Sequence, residues 1–179
     1  MTGLTMVSEM IDLRSFSNLW FWIMLAAAWL AASRRIIGVP FDMITRAQRD
    51  RGKALDDLIA VTKANVNRIL YLADMAGIAM IAAMCFLLTF LVGIGFFYHV
   101  EFAQAVFFVL LPMLAVWWMG VRTARRIRIG NWEGEEGEAA LFLLLKRHRL
   151  RIHILGATAI VATGVWGTHW NMSQSVLFN

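Results

Sequence analysis

Four long apolar segments dominate the chain, and the charged residues are confined to the stretches between and around them. The segments cover about 16–33, 75–100, 102–120 and 152–170, and none contains Asp, Glu, Lys or Arg. A helix needs about 20 apolar residues to cross the hydrocarbon core of a bilayer, and there it satisfies its own backbone hydrogen bonds. The pattern predicts an all-α integral membrane protein with four transmembrane helices, forming one membrane domain over 1–179.

In the connection over 34–74, the apolar residues are periodic instead of continuous. Apolar side chains recur there at spacings of three and four, which predicts an amphipathic helix leading directly into the second span. The series is Leu55, Leu58, Ile59, Thr62, Val66, Ile69 and Ala73. Pro40 disfavours helix at the residue before it, so the chain should be interrupted at Val39. The apolar face could dock a partner, lie on the membrane surface or pack within the protein, and packing within the protein is favoured.

The connection over 121–151 contains an acidic stretch with two glycines, 132–138, and a predicted helix from Glu138 onward. The acidic start and basic end of that helix suit the helix dipole. The apolar run 141–145 is too short to span, so it should be covered by protein or lie at the interface. The glutamates could bind a cation, but they lack the ligand spacing of a calcium loop, which favours a solvated acidic turn.

The basic residues predict the orientation of the chain. Of the 17 Lys and Arg residues, all but Arg14 lie in the two connections. The first connection holds Arg34, Arg35, Arg46, Arg49, Arg51, Lys53, Lys63 and Arg68, and the second holds Arg122, Arg125, Arg126, Arg128, Lys146, Arg147, Arg149 and Arg151. Basic residues concentrate on the cytoplasmic side of membranes, which places both termini on the far side. Glu9 and Asp12 stand where a signal peptide is basic, so the first span should be an uncleaved helix.

The composition supports lipid as the solvent for much of the chain. Hydrophobic residues make up 60% and charged residues 16%, against roughly 45–50% and 25% in soluble domains. The net charge of +5 follows from basic residues that flank the apolar segments, so no nucleic-acid partner is predicted. The single cysteine, Cys85, excludes a disulfide within the chain and a cysteine-rich metal site.

Catalytic motifs are missing from the sequence. It contains no glycine-rich phosphate loop, zinc-protease helix or nucleophile elbow, so we predict no enzyme activity, catalytic residue, metal site or cofactor. The uncharged spans also argue against a proton relay or a path for a charged substrate. His99 and His169 remain as weak candidates for cofactor binding, because facing imidazoles could ligate a haem or a metal. The favoured interpretation is that these amphipathic side chains sit at the membrane interface.

Small residues recur at four-residue spacing in three of the spans, and such faces allow close helix contact in lipid. They are Ala27 with Ala31 or Ala28 with Ala32 in the first span, Ala79 with Ala83 in the second, and Ala159, Thr163 and Gly167 in the fourth. The contact could lie within the bundle, with another subunit, or with a second copy in a homo-oligomer. Pro112 interrupts the third span and predicts a bend there.

Four stretches carry a family resemblance, and two of them are Asn65-Val66-Asn67-Arg68 and Glu101-Phe102-Ala103-Gln104-Ala105-Val106. The run Ile11-Asp12-Leu13-Arg14-Ser15-Phe16-Ser17-Asn18-Leu19-Trp20-Phe21-Trp22 and the run Gly38-Val39-Pro40-Phe41-Asp42-Met43 resemble a group of small alphaproteobacterial multi-pass membrane proteins. Members are often labelled as a component of the SufBCD complex, which assembles iron–sulfur clusters. The resemblance implies a bacterial inner membrane and a cytoplasmic partner. In such a membrane, the orientation predicted from the basic residues makes both termini periplasmic. It implies no cluster ligand, since Cys85 falls within a predicted span.

Three functions are compatible with these features. The leading hypothesis is a non-catalytic accessory, assembly or scaffolding subunit of a larger membrane complex, with the lipid bilayer and other membrane subunits as partners. The alternative is an oligomeric channel or transporter, although the uncharged spans count against it. The second alternative is a haem-binding redox membrane protein that uses His99 and His169.

Overall fold

The computed structural model describes Phe16, residues 18–132 and residues 134–177, and the described part of the chain is almost entirely helical. The described chain leaves the helical conformation at the hairpin that contains Pro40, around Gly52, at the turn after the glycines near residue 95 and at the acidic stretch, which divides it into five helices. They are α1 (Leu19–Arg34), α2 (Phe41–Asp50), α3 (Lys53–Val92), α4 (Glu101–Ile129) and α5 (Gly134–Leu177). A π-helical turn, Gly93–Phe97, follows α3. The all-α prediction is therefore confirmed.

Three of the helices are long and apolar enough to cross a membrane. They are Lys53–Phe97 (α3 with the π-helical turn), Glu101–Ile129 and Gly134–Ser173. Helix α1 has 16 residues, which at 1.5 Å per residue gives about 24 Å, short of a hydrocarbon core of about 30 Å. Four spans thus remain a prediction, three of which have helices of sufficient length.

Several helix boundaries differ from those expected. The amphipathic helix and the second span form the single helix α3, as predicted, but its α-helical part ends at Val92 rather than near residue 100. Helix α5 begins one turn before the expected Glu138 and runs through the fourth span. Helix α2 was not predicted. Pro112 is buried inside α4, which continues on both sides of it.

A short β-hairpin, with two residues in each strand, separates α1 from α2. Strands β1 (Arg35–Ile36) and β2 (Val39–Pro40) pair in antiparallel register, which confirms the predicted interruption at Val39. Gly38 at the turn has a φ of +78°, and a Cβ there would lie 2.9 Å from the Asn65 side chain on α3. Only glycine meets both conditions without strain. The turn therefore sets the hairpin against α3.

Helices that contact each other run antiparallel. Both basic connections meet at one end of the bundle, called here the basic end. Helix α4 contacts α3 and α5, and α1 contacts α5. At the basic end Arg51 Nη1 lies 3.2 Å from Glu135 Oε1, and Lys146 Nζ donates to Gln48 Oε1 at 2.7 Å. The end with the turn between α3 and α4 is called the distal end. Placement of the two basic connections at the same end agrees with the sequence analysis.

The main apolar core lies at the basic end rather than between the predicted spans. It joins the hairpin, α2, the first half of α3, the last turns of α4 and the first turns of α5. Its fully buried members include Ile36, Val39, Ile44, Leu58, Leu141 and Leu145. The face predicted for the amphipathic helix is the one buried, with Leu55, Leu58, Thr62 and Val66 inside. This group of elements is called the basic-end subdomain.

Candidate functional site

The outer surface of the long helices is the most unusual feature of the structure. Only 6% of the most apolar 18-residue window of α3 is buried, and 22% of those of α4 and α5. Ile78 is 90% exposed, and Phe86 on the same helix is 73% exposed. Soluble monomers rarely expose contiguous apolar patches larger than a few hundred Å². This surface is therefore built to be covered by lipid or protein.

A buried polar junction joins α3, α4 and α5 at the distal end. Gln104 is completely buried; its Nε2 donates to the carbonyl of Gly95 at 2.7 Å, and its Oε1 accepts from Trp166 Nε1 at 2.9 Å. Gly95 lies in the π-helical turn, and a Cβ there would lie 3.0 Å from the Gln104 backbone nitrogen. Irregular backbone at a helix end leaves carbonyls to be satisfied by side chains. The sequence pattern does not predict this junction.

We expect Gln104→Leu to destabilise the distal end, because leucine fills similar space but leaves the Gly95 carbonyl and the Trp166 indole without partners. An unsatisfied buried polar group costs about 1–3 kcal/mol, while polar contacts between membrane helices average about 0.6 kcal/mol. The unfolding free energy in mild detergent should fall by roughly 1–2 kcal/mol. Trp166→Phe, which removes only one bond, should cost less. Equal stability of Gln104→Leu and the parent would contradict the junction.

The N-terminal side of α1 is held at the distal end by contacts with α4 and α5. The backbone nitrogen of Phe16 donates to Glu101 Oε1 at 2.6 Å, and the Phe16 carbonyl accepts from Trp22 Nε1 at 3.1 Å. The Phe16 ring packs on Gly167, where a Cβ would lie 3.1 Å from it. The chain from Phe16 to Arg34 therefore runs from the distal end to the basic end.

The fourth-span stripe of small residues is a contact face inside the bundle. Thr163 is fully buried and Gly167 is buried under Phe16, while Ala159 packs beside the cluster around Trp29. The Thr163 hydroxyl donates to the Ala159 carbonyl at 2.7 Å, so it brings no unpaired polar group into the contact. By contrast, the pair Ala79 and Ala83 on α3 stays exposed. Of the stripes predicted in three spans, the one in the fourth span is therefore buried and the one in the second is exposed, while in the first span Ala28 and Ala32 are half-buried.

The two candidate histidines both lie at the distal end and are exposed. His99 has a φ of +57° in the turn before α4, and its ring centroid lies 6.0 Å from that of Trp170. The His169 ring lies 6.0 Å from Trp166. Each imidazole therefore packs beside an indole, a typical arrangement for amphipathic rings at a membrane interface. Within the described residues, no group of three or more His, Cys, Asp or Glu side chains could hold a metal ion.

His148, which precedes the fourth predicted span in the sequence, belongs to the basic-end subdomain. It is 3% exposed, and its Nδ1 lies 3.0 Å from the Thr123 hydroxyl of α4. Burial, with a smaller contribution from the positive charge of Arg151, lowers the pKa of His148 below its usual value. Because the Thr123 hydroxyl donates to the Met119 carbonyl at 2.8 Å, its oxygen can accept the Nδ1 proton of a neutral imidazole, and the pair links α4 to α5 without a buried charge.

A loop around Trp132 closes the basic-end subdomain. Its indole nitrogen donates to the Ile127 carbonyl at 2.7 Å, and the ring lies against Gly130. Beside it is a cavity of about 340 Å³ between α3, the end of α4 and Leu141, which Lys63 also lines. The glutamates of the acidic stretch are mainly exposed where the structure describes them, and Glu135 pairs with Arg51. One of the glutamates predicted to form a solvated acidic turn is therefore paired with an arginine of the other basic connection.

No family model, curated protein or solved structure matches the chain at a significant level.

Proposed function

We propose that the chain is an integral protein of the bacterial inner membrane, with α1, α3, α4 and α5 as transmembrane helices. The observation that carries this proposal is the exposure of the apolar surface, with 6% of the most apolar window of α3 buried. Water around that surface costs about 25 cal/mol per Å² relative to an apolar surrounding, whereas lipid removes the cost. Short α1 fits a bilayer if the terminal Arg34 extends its charged head to the interface or the bilayer thins locally.

The proposed topology places the basic end in the cytoplasm and both termini in the periplasm. Sixteen basic residues at one end of the bundle match the distribution in cytoplasmic loops. The contact of Phe16 with Glu101 at the distal end, with Arg34 at the other end of α1, supports a full crossing by the first segment. Trp20, Tyr98 and Trp170 fall near the periplasmic boundary, where amphipathic rings concentrate.

Within the membrane the chain serves as a non-catalytic accessory, assembly or scaffolding subunit of a larger complex. Helix α3 supports this role because, in the predicted span, it packs mainly on α4 and leaves Ala79 and Ala83 exposed on another face. Small residues allow the backbone of a partner helix to approach closely. The buried Gln104 and the half-buried Trp166 bond to each other instead of lining a path, which favours a subunit over a channel.

We expect Ala79→Ile with Ala83→Ile to detach the protein from its complex, because two branched side chains would separate the helix backbones. Tagged protein extracted in mild detergent should migrate on native gels in a larger assembly, with partner subunits identified by mass spectrometry. The double variant should migrate as the small protein alone.

A matched control replaces Ala157 and Ala162, two exposed alanines of α5, by isoleucine. This control should keep the larger assembly. Parent protein that migrates alone would contradict the accessory role. An assembly that contains only copies of this chain would also contradict it and would indicate a homo-oligomer.

A further inference from the structure

We infer that the groove between α3 and α4 binds an anionic phospholipid, with an acyl chain in the groove and the headgroup phosphate on Arg122 and Arg125. This inference rests on the proposed membrane location and specifies the lipid that one face of the protein selects. The groove has a volume of about 310 Å³ and lies between the predicted spans of the two helices. Its lining includes Ile81, Met84, Cys85, Leu111, Ala115 and Trp118.

The groove is apolar and open on its side, as an acyl-chain site requires. Its α3 wall has Ile81 44% exposed, and its α4 wall has Leu111 46% and Trp118 54% exposed. Ala115 is the one small residue in the α4 wall of the groove, and it lies between Leu111 and Trp118 on that helix face. A hydrocarbon chain gains dispersion contacts along such a concave surface that it would not gain on a convex helix.

The arginines continue the same face of α4 toward the cytoplasm. Residues spaced by three or four share a helix face, and the series Leu111, Ala115, Trp118, Arg122 and Arg125 has spacings of four, three, four and three. At 1.5 Å per residue, Arg122 lies about 6 Å and Arg125 about 10 Å beyond Trp118 along the axis. A chain seated beside Trp118 therefore brings its headgroup to the level of these guanidinium groups.

The charges of this face are available to a phosphate. Arg122 and Arg125 are both exposed, and neither forms an ion pair within the described part of the chain. One turn further on, Arg128 lies 3.9 Å from Asp74 of α3, and this carboxylate marks the cytoplasmic limit of the site. Guanidinium groups bind phosphate through parallel hydrogen bonds, and the cytoplasmic leaflet supplies anionic headgroups. Charge complementarity thus selects an anionic lipid over a zwitterionic one.

The test is native mass spectrometry of the full chain with an equal mixture of phosphatidylglycerol and phosphatidylcholine that carry the same acyl chains. The parent should retain phosphatidylglycerol preferentially. Arg122→Ala with Arg125→Ala should weaken binding of phosphatidylglycerol about thirty-fold, which corresponds to about 2 kcal/mol, and weaken binding of phosphatidylcholine less, because the choline charge already offsets its phosphate. Ala115→Trp fills the groove and should reduce retention of both lipids.

The matched control removes the same charge elsewhere, through Arg46→Ala with Arg147→Ala. Both of these arginines are exposed in the basic-end subdomain, away from the groove. The control should bind phosphatidylglycerol within about two-fold of the parent. Equal binding by parent and Arg122/Arg125 variant, or an equal loss in the control, would overturn the site.

Other outcomes distinguish this inference from the proposed function. Co-purification of a protein that Ala115→Trp displaces, in place of a lipid, would assign the groove to a partner helix and overturn the lipid site. A chain released from membranes by alkaline carbonate would overturn the membrane location itself. A chain that resists carbonate yet shows no lipid preference would overturn only the lipid site.

Discussion

Replacing Phe86 by arginine is expected to block membrane insertion of α3, although this side chain is already 73% exposed. Phe86 lies at the middle of the second predicted span. An arginine at the centre of a transmembrane helix costs about 2.5–3.5 kcal/mol, and loss of the phenylalanine adds a few tenths. An insertion equilibrium should therefore shift by roughly 100-fold or more. In a water-surrounded protein the same substitution at an exposed position would be neutral, within about 0.5 kcal/mol.

The measurement is the fraction of expressed protein that resists alkaline carbonate extraction. Leu143→Arg is the matched control, because Leu143 is 49% exposed but lies on the basic-end subdomain, outside the predicted spans. The control and Phe86→Leu should both insert like the parent. Equal extraction of Phe86→Arg and Leu143→Arg would mean that both positions face the same solvent, which contradicts a lipid-facing α3.

Leu145→Ala is expected to cause the largest loss of stability among single truncations in the basic-end subdomain. Leu145 is fully buried on α5 within the core that joins the hairpin, α2, α3 and α4. Removal of a buried leucine side chain to alanine costs about 2–5 kcal/mol, because contacts are lost and a cavity remains. Such a loss is a large share of the stability of an ordinary domain.

Thermal unfolding in mild detergent measures this loss, and Leu143→Ala supplies the comparison two residues away. Because Leu143 is half exposed, its truncation should change the unfolding free energy by less than about 0.5 kcal/mol. Similar midpoints for the two variants would show that the short apolar run is not a protein-covered segment. A midpoint that falls only for Leu145→Ala would confirm that the subdomain is held by its own core.

The long elements could be predicted from sequence because each has one strong period or a continuous apolar run. The spacing of Leu55, Leu58, Thr62 and Val66 predicts the face of α3 that is buried in the fold. The grouping of basic residues likewise predicts that the two connections meet at one end. In both cases a signal repeated over many residues outweighs the ambiguity of any single position.

The elements that were missed depend on contacts between distant residues. Helix α2 is only 10 residues long, and its buried side chains, Ile44 and Ala47, give too few points to show a period. The junction of Gly95, Gln104 and Trp166 joins three helices, and only one signal was present in the sequence, a glutamine inside an apolar run. A buried polar side chain in lipid requires a partner, so that glutamine was the position to question.

The early end of α3 has a comparable cause. The apolar run continues to residue 100, so hydrophobicity alone gave no reason to end the helix before the turn. Gly93 and Gly95 allow the backbone to widen into a π-helical turn, and Gln104 satisfies one carbonyl there. The candidate histidines were placed correctly at one end of the bundle, but each packs beside a tryptophan, which spacing could not predict.

The proposed topology has the apolar helices in lipid and both basic connections in the cytoplasm. Its most direct test uses Cys85→Ser as background, with single cysteines at Gln48, Arg147 or Tyr98, and a membrane-impermeant maleimide on intact spheroplasts. We expect immediate labelling at position 98, and labelling at 48 and 147 only after the membrane is permeabilised. Labelling of positions 48 and 147 on intact spheroplasts would contradict this topology. Labelling of only one of these two positions before permeabilisation would place the basic connections on opposite sides of the membrane and would also contradict it.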